Sequence, residues 1–188
     1  MKIANLPEHY ERHLGEIAHG WADDALSHSI QIVSFKCQPE PGVTTFATLG
    51  LSRYILDLTE TRNIRQEILV SANEVFSVDD IAGFSLSVAE HVLERGSALL
   101  RGEVLGPGRP VIAGSTLSAV YVANPSPFDD GLTKFDSEPP ATVFAYLIPI
   151  TATEASLVGA RGWRWFEDEL ERQNPDIWNL ARSEQVLA

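Results

Sequence analysis

The sequence predicts an α+β domain, a mixed and largely antiparallel β-sheet with helices packed on it. Three observations carry that prediction. Two β-branched, apolar segments flank a dense turn and read as a hairpin. Segments of helical period fall at the start, the middle and the end of the chain. Between them there is no regular alternation of strand and helix, which a doubly wound parallel sheet would require.

The elements follow in order. "LPEHYERHLGEIA" has Pro7 near its start and good helix formers behind it, so it predicts a helix ending before the "DDALSHS" stretch. "SIQIVSFKC" and "VTTFATLGL" are the hairpin strands, joined by "QPEPG". "NIRQEILVSAN" is a third strand, with Ile64, Gln66, Ile68 and Val70 on one side. From Ser77 the period becomes helical through Val78, Ile81, Val88 and Val92, with Ser77 as N-cap and Gly96 at the end. After the turn region "GEVLGPGRP", "VIAGSTLSAVYVAN" predicts a strand with an irregularity at Gly114. "ATVFAYLIPIT" is apolar throughout and predicts a central strand containing Leu147 and Ile148, with Phe144 and Tyr146 facing helices. Thr151 and Glu154 form a capping box, from which one long helix is expected through about Arg172.

Composition limits the functional classes. The 188 residues fit a single domain, residues 1–188, large enough to bury a full core. No apolar run approaches a membrane span, and "MKIANLPEHYERH" turns polar at once, so no membrane partner and a cytoplasmic location are expected. The net charge of -12 argues against nucleic acid as a partner, because a phosphate backbone needs a basic surface. An acidic surface suits a basic protein and also keeps a chain soluble. The lone Cys37 lies in a β-like run and is expected to be a buried, inert thiol.

No motif assembles a catalytic centre. Gly50-Leu51-Ser52 is followed by Arg53 and Tyr54, so the second glycine of a nucleophile elbow is missing, and a local backbone bond by Ser52 is expected instead. His9 and His13 share a helix face, but no third ligand accompanies them; a polar exposed face accounts for both, and no metal or cofactor is expected. Glu167, Asp168, Glu169 and Glu171 read as a solvated helix face, whereas Trp163, Trp165 and Phe166 are expected to pack the last helix on the sheet. The unusual segment is the long loop Asn124 to Pro140. It sets Phe128 and Phe135 beside Asp129, Asp130, Asp136 and Glu138. Either the rings and carboxylates contact a partner, or the rings fold back on the sheet and the acids keep the loop solvated.

The order of landmarks resembles the suppressor of fused domain family in its bacterial form. "HLGE", the hairpin "HSIQIVSFKCQPEPGVTTFATLGLS", "RQEILV", "GSTLSAVYVANPSPF" and "FAYLIPIT" leading to Glu154 carry the resemblance over nearly the whole chain. Thr48-Leu49-Gly50-Leu51-Ser52 is similar to the family's T-x-G-x-S, and Asn179 to Arg182 to its closing segment. The "PGRPVIAGST" region departs from the family's usual Pro-Asn-Thr run, and Thr151 stands where leucine and an aromatic are usual. The resemblance implies a non-catalytic domain that binds other proteins. The animal member holds a transcription factor, and bacterial members are often immunity proteins against polymorphic toxins. The implied function is an immunity protein neutralising a toxin, possessing a basic toxin domain as partner and no cofactor. The alternatives are a housekeeping adaptor and a small serine hydrolase using Ser52. The tentative partner-binding residues are Phe128, Asp129, Asp130, Phe135 and Asp136.

Overall fold

The computed structural model describes residues 5–22 and 29–183; most of the "DDALSHS" stretch lies outside them. Helix α1 (Leu6–Leu14) starts where expected, with the Asn5 side chain accepting from the Glu8 N–H at 2.9 Å. It stops four residues earlier than the sequence suggests. Gly15 takes φ +81°, and its N–H caps the Glu11 carbonyl. The chain then enters β1 (His19–Ala22), a short strand that no periodicity announces.

The hairpin β2 (Gln31–Lys36) and β3 (Val43–Leu49) forms as predicted. Cys37 does not belong to its strand: it takes φ +56° at the start of the turn and is exposed, contrary to the expected buried thiol. After a 3₁₀ turn at Leu51–Arg53, β4 (Leu56–Thr59) folds back against the start of the twelve-residue β5 (Arg62–Asn73). Helix α2 (Val78–Arg95) has the expected Ser77 cap and ends at Gly96, φ +69°. The short β6 (Val104–Leu105) follows. The next strand, β7 (Leu117–Ala123), begins after Gly114, which takes φ +80°, and residues 111–116 lie outside the sheet. A 3₁₀ turn at Asp130–Thr133 and the two-residue β8 (Lys134–Phe135) occupy the long loop before β9 (Thr142–Thr151).

The capping box at Thr151 and Glu154 is present with both bonds formed, but the single long helix is not. Gly162, φ +88°, divides it into α3 (Ala152–Arg161) and α4 (Trp163–Gln173). A residue with a Cβ would be strained in that conformation, so the elbow is set by the glycine.

The sheet runs β1-β2-β3-β5-β9-β7-β6, with β4 on β5 and β8 on β9. Every pairing is antiparallel except β5 with β9, which are brought together by the crossover through α2. Strand β9 is therefore interior, as its uniform apolarity predicts. Its alternate residues serve two cores. Ala145 and Leu147 face α2, packing with a group that includes Ile68, Ile81, Val88 and Val120. Phe144, Tyr146, Ile148 and Ile150 face α1, α3 and α4, meeting Tyr10, Leu14, Val158 and Phe166. Trp163, Trp165 and Leu170 join this second core from its rim, so α4 docks through the predicted aromatic residues. Among the described residues, no helix is long and apolar enough to cross a membrane.

Candidate protein-binding face

The Thr48 to Ser52 strand exit is organised around a side chain that the sequence reading did not single out. Glu67, fully buried on β5, receives the Thr48 hydroxyl at 2.5 Å on Oε2. Its Oε1 accepts the Gly50 N–H at 3.1 Å, the Ser52 N–H at 3.0 Å and the Ser52 hydroxyl at 2.6 Å. Gly50 has φ +119°, and an added Cβ would lie 2.9 Å from the Ser29 carbonyl oxygen, so the turn requires glycine. Arg65 supports it from outside, donating to the carbonyls of Ser52 (2.8 Å) and Arg53 (3.2 Å). The Ser52 hydroxyl is thus a ligand of a buried carboxylate, correcting the expected local backbone bond. Burial raises the Glu67 carboxyl above its ordinary value, while the bonds from Ser52, Thr48 and Gly50 pull against that shift. The arrangement ties β3 to β5 and fixes how the chain leaves the sheet.

The long loop is fastened to α1 and β9. Phe135 is buried, its ring 4.9 Å from that of His9, and Phe128 is half-buried with its ring 5.6 Å edge-on to Tyr146. Asp129 caps the 3₁₀ turn through the Gly131 N–H at 2.7 Å and lies 3.2 Å from His13. Asp130 and Asp136 are exposed, the latter 2.8 Å from Lys134. His9 contradicts the reading of α1 as a polar exposed face: it is buried, stacked 5.5 Å from Phe144, and its Nε2 has no described partner. Burial, then His13 and Arg12, lower its pKa to about 4. Among the described residues no group of three or more His, Cys, Asp or Glu could hold a metal.

The start of this loop borders an open cleft of about 830 Å³ between the sheet, α4 and residues 174–178. Asn124, Ser126 and Pro127 form one wall; Glu171, Asp176 and Trp178 form the other. On its floor Glu167 accepts from the Tyr121 hydroxyl (2.9 Å) and from Arg101 Nε (3.0 Å), so this carboxylate is not part of a free acidic face. Burial first, and then this bond to Glu167, raise the pKa of Tyr121. The Trp178 indole donates to the Tyr146 hydroxyl at 2.9 Å, and Asn73 donates to Asp176 at 3.0 Å. Arg101, Tyr121, Glu167 and Trp178 are scattered over the chain, and no spacing in the sequence announces that they meet. The cleft's mixture of carboxylates, amides and an indole is suited to polar contacts with another protein rather than to an apolar small molecule.

The family model described as "Suppressor of fused protein (SUFU)" matches residues 27–183. The chain belongs to this family. Comparison with curated proteins gives no match. A SUFU homologue from Neisseria gonorrhoeae has a similar structure, with TM-score 0.74 and 17% identity, covering 97% of this chain and 93% of that one. A chain in the Sufu–Fu complex gives TM-score 0.73 at 14% identity, covering 96% of this chain and 88% of its own. Drosophila Suppressor of Fused gives 0.67 at 16% identity over 85% of this chain, which spans 43% of that protein. At these identities the likeness is one of fold. The SUFU resemblance, and the mixed, largely antiparallel sheet read from the order of the elements, are both found.

Proposed function

We propose that this SUFU-family chain is a non-catalytic protein-binding domain of the bacterial cytoplasm, an immunity protein that neutralises a toxin with a basic surface. The observation that carries the reading is an acidic arc, made by the long loop and by the cleft its first residues border, on a chain of net charge -12. Asp129, Asp130, Asp136 and Glu138 stand exposed on the long loop, where Asp136 pairs with Lys134 and Glu138 lies 3.5 Å from Arg65, and Glu40, Glu171 and Asp176 line the cleft that the loop's first residues border. Such a surface steers a basic partner and fixes its orientation. Within it, Phe128 and Phe135 serve the contact by holding the loop in place, and Asp129, Asp130 and Asp136 supply the charges. The presence of a relative in a complex named Sufu–Fu agrees with protein binding as the working mode.

The test is genetic and direct. The products of the genes flanking this one are expressed singly in a host cell, and growth is followed with and without this chain. One neighbour is expected to arrest growth and to be neutralised by co-expression. If no neighbour is toxic, or if toxicity persists at equal expression of this chain, the immunity reading fails and the housekeeping adaptor takes its place.

A further inference from the structure

The elbow between α3 and α4 has the opposite chemistry from the acidic arc. Arg161 and Arg164 flank Gly162, are exposed, and are not within ion-pair distance of a carboxylate among the described residues. Carboxylates outnumber basic residues by 26 to 14 in this chain, so two exposed arginines three residues apart and outside any close ion pair stand out, with Arg161 reaching Glu169 only through its longer-range field. They are placed over aromatic rings instead. The Arg164 guanidinium lies 5.3 Å and that of Arg101 4.7 Å from the centre of Trp163, and that of Arg161 lies 5.1 Å from the centre of Trp165.

Beside Trp163 is an open groove of about 450 Å³, lined mainly by small and apolar residues including Gly102, Val104, Pro107 and Gly159. Gly102 holds the wall: its φ is +88°, and a Cβ there would fall 2.5 Å from the Trp163 ring, so the indole rests on bare backbone. Gly159 has no comparable reason to be glycine. It lies inside α3, it is outside the left-handed region, and a Cβ would meet nothing within 4 Å. Glycine is the poorest helix-interior residue after proline, so α3 carries a weak residue where its only visible consequence is an open groove floor.

We propose that this elbow is a second docking surface, on which an apolar side chain of a partner protein enters the groove over Gly159 while an adjacent carboxylate meets Arg164. The occupant is set by charge complementarity: a segment that joins an aliphatic or aromatic side chain to aspartate or glutamate. Tryptophan and arginine are the residue types that most often dominate the energy of protein contacts, and here they are already held together before binding. The surface adjoins the acidic cleft through Arg101, which lies on the cleft floor and over Trp163, but it selects a partner segment of opposite charge.

A random linear peptide library displayed on phage and selected on the whole chain tests this. Selected peptides are expected to carry Asp or Glu next to Leu, Ile or Phe, and their binding is expected to weaken with salt. Arg164→Glu should weaken a selected peptide by about tenfold or more, the size expected of an interface hot spot. Gly159→Leu should weaken it similarly while leaving the melting temperature unchanged or higher, and Gly159→Ala serves as the milder variant if leucine perturbs folding. A loss of binding together with unimpaired helix stability is not what a purely structural role would give. The proposal is overturned if no peptide is selected, if those selected lack carboxylates, or if they bind the Arg164→Glu and Gly159→Ala chains as tightly as the native one. Neutralisation of a basic toxin by the same variants should be unaffected, which separates this surface from the arc.

Discussion

Glu67 and Glu154 are both fully buried carboxylates, and the chain accommodates them in two different ways. Glu154 has a counter-ion. Arg182, buried and 28 residues further along, places Nη1 2.7 Å from Oε1 and Nη2 3.0 Å from Oε2, and Nη2 also reaches the Pro149 carbonyl. Glu154 Oε2 in addition accepts the Thr151 N–H at 2.8 Å, so the capping box and the ion pair share one oxygen. Glu67 receives neutral donors from Thr48, Gly50 and Ser52, and the nearby Arg65 turns its guanidinium to the Ser52 and Arg53 carbonyls and to Glu138, 3.5 Å away. A bidentate ion pair fastens a distant segment, here the end of the described chain, to the helix start. A cradle of neutral donors fastens a local turn. The same side chain therefore reports long-range closure in one place and strand-exit geometry in the other.

The largest effect is expected from breaking the ion pair. Arg182→Met removes the guanidinium that pairs with the buried Glu154 carboxylate, so denaturant unfolding should show a loss of about 3–5 kcal/mol. Replacing Glu154 as well, by leucine, should recover part of that loss, because the orphaned charge goes while the cap to Thr151 stays broken. A single variant as stable as the native chain would mean that the closing segment is not held by this pair.

Glu67→Gln is expected to cost less at neutral pH, about 1.5–3 kcal/mol, because the amide cannot satisfy all the donors that the carboxyl receives. Its pH dependence sharpens the contrast. A carboxyl whose folded pKa lies above its unfolded value binds protons more readily in the native state, so its contribution to stability falls as pH rises from about 4.5 through the folded pKa. The native chain gains from this group on acidification and the glutamine variant does not. The difference between the two should therefore be larger at pH 5 than at pH 7. A difference that shrinks on acidification would show that the donors outweigh burial.

His9 is a third buried titratable group with the opposite sign. Its folded pKa is lowered from 6.5 to about 4, so the unfolded chain binds the extra proton and stability is lost as pH falls from about 6.5 to 4. His9→Phe should change stability little at pH 7 and should flatten this decline, since Nε2 has no described partner to lose. An unaltered acid slope in the variant would place the titration elsewhere.

These cases also show what was legible in the sequence. Local signals were: the Thr151 and Glu154 box, the Ser77 cap, the hairpin around "QPEPG" and the interior character of β9 all rest on residues close to one another. The helix break at Gly162 was missed because an isolated glycine in a helical pattern is often tolerated, and only its φ of +88° shows otherwise. Strand β1 was missed because four exposed or half-exposed residues give no alternation to read. The Arg182 ion pair and the meeting of Arg101, Tyr121 and Glu167 are tertiary and leave no spacing. His9 misled because a histidine four residues from another looks like a polar face until Phe135 and Phe144 are seen to cover it. The family landmark around Ser52 was recognised, but the carboxylate that explains it lies fifteen residues away on β5.

The central claim, that the acidic arc engages a basic partner protein, is tested most directly by association kinetics. The rate constant for binding the neighbouring gene's toxin is measured by stopped flow over a range of ionic strength, for the native chain and for Asp130→Lys with Asp136→Lys. Both positions are exposed and Asp136 loses only a surface pair with Lys134, so the folded structure should be little affected, and Asp129 is left to cap its turn. The native rate should fall steeply with salt, and the charge-reversed chain should associate about tenfold or more slowly at low salt, with the two curves converging at high salt as screening removes the field. Equal and salt-independent rates for the two chains, with unchanged affinity, would contradict the account.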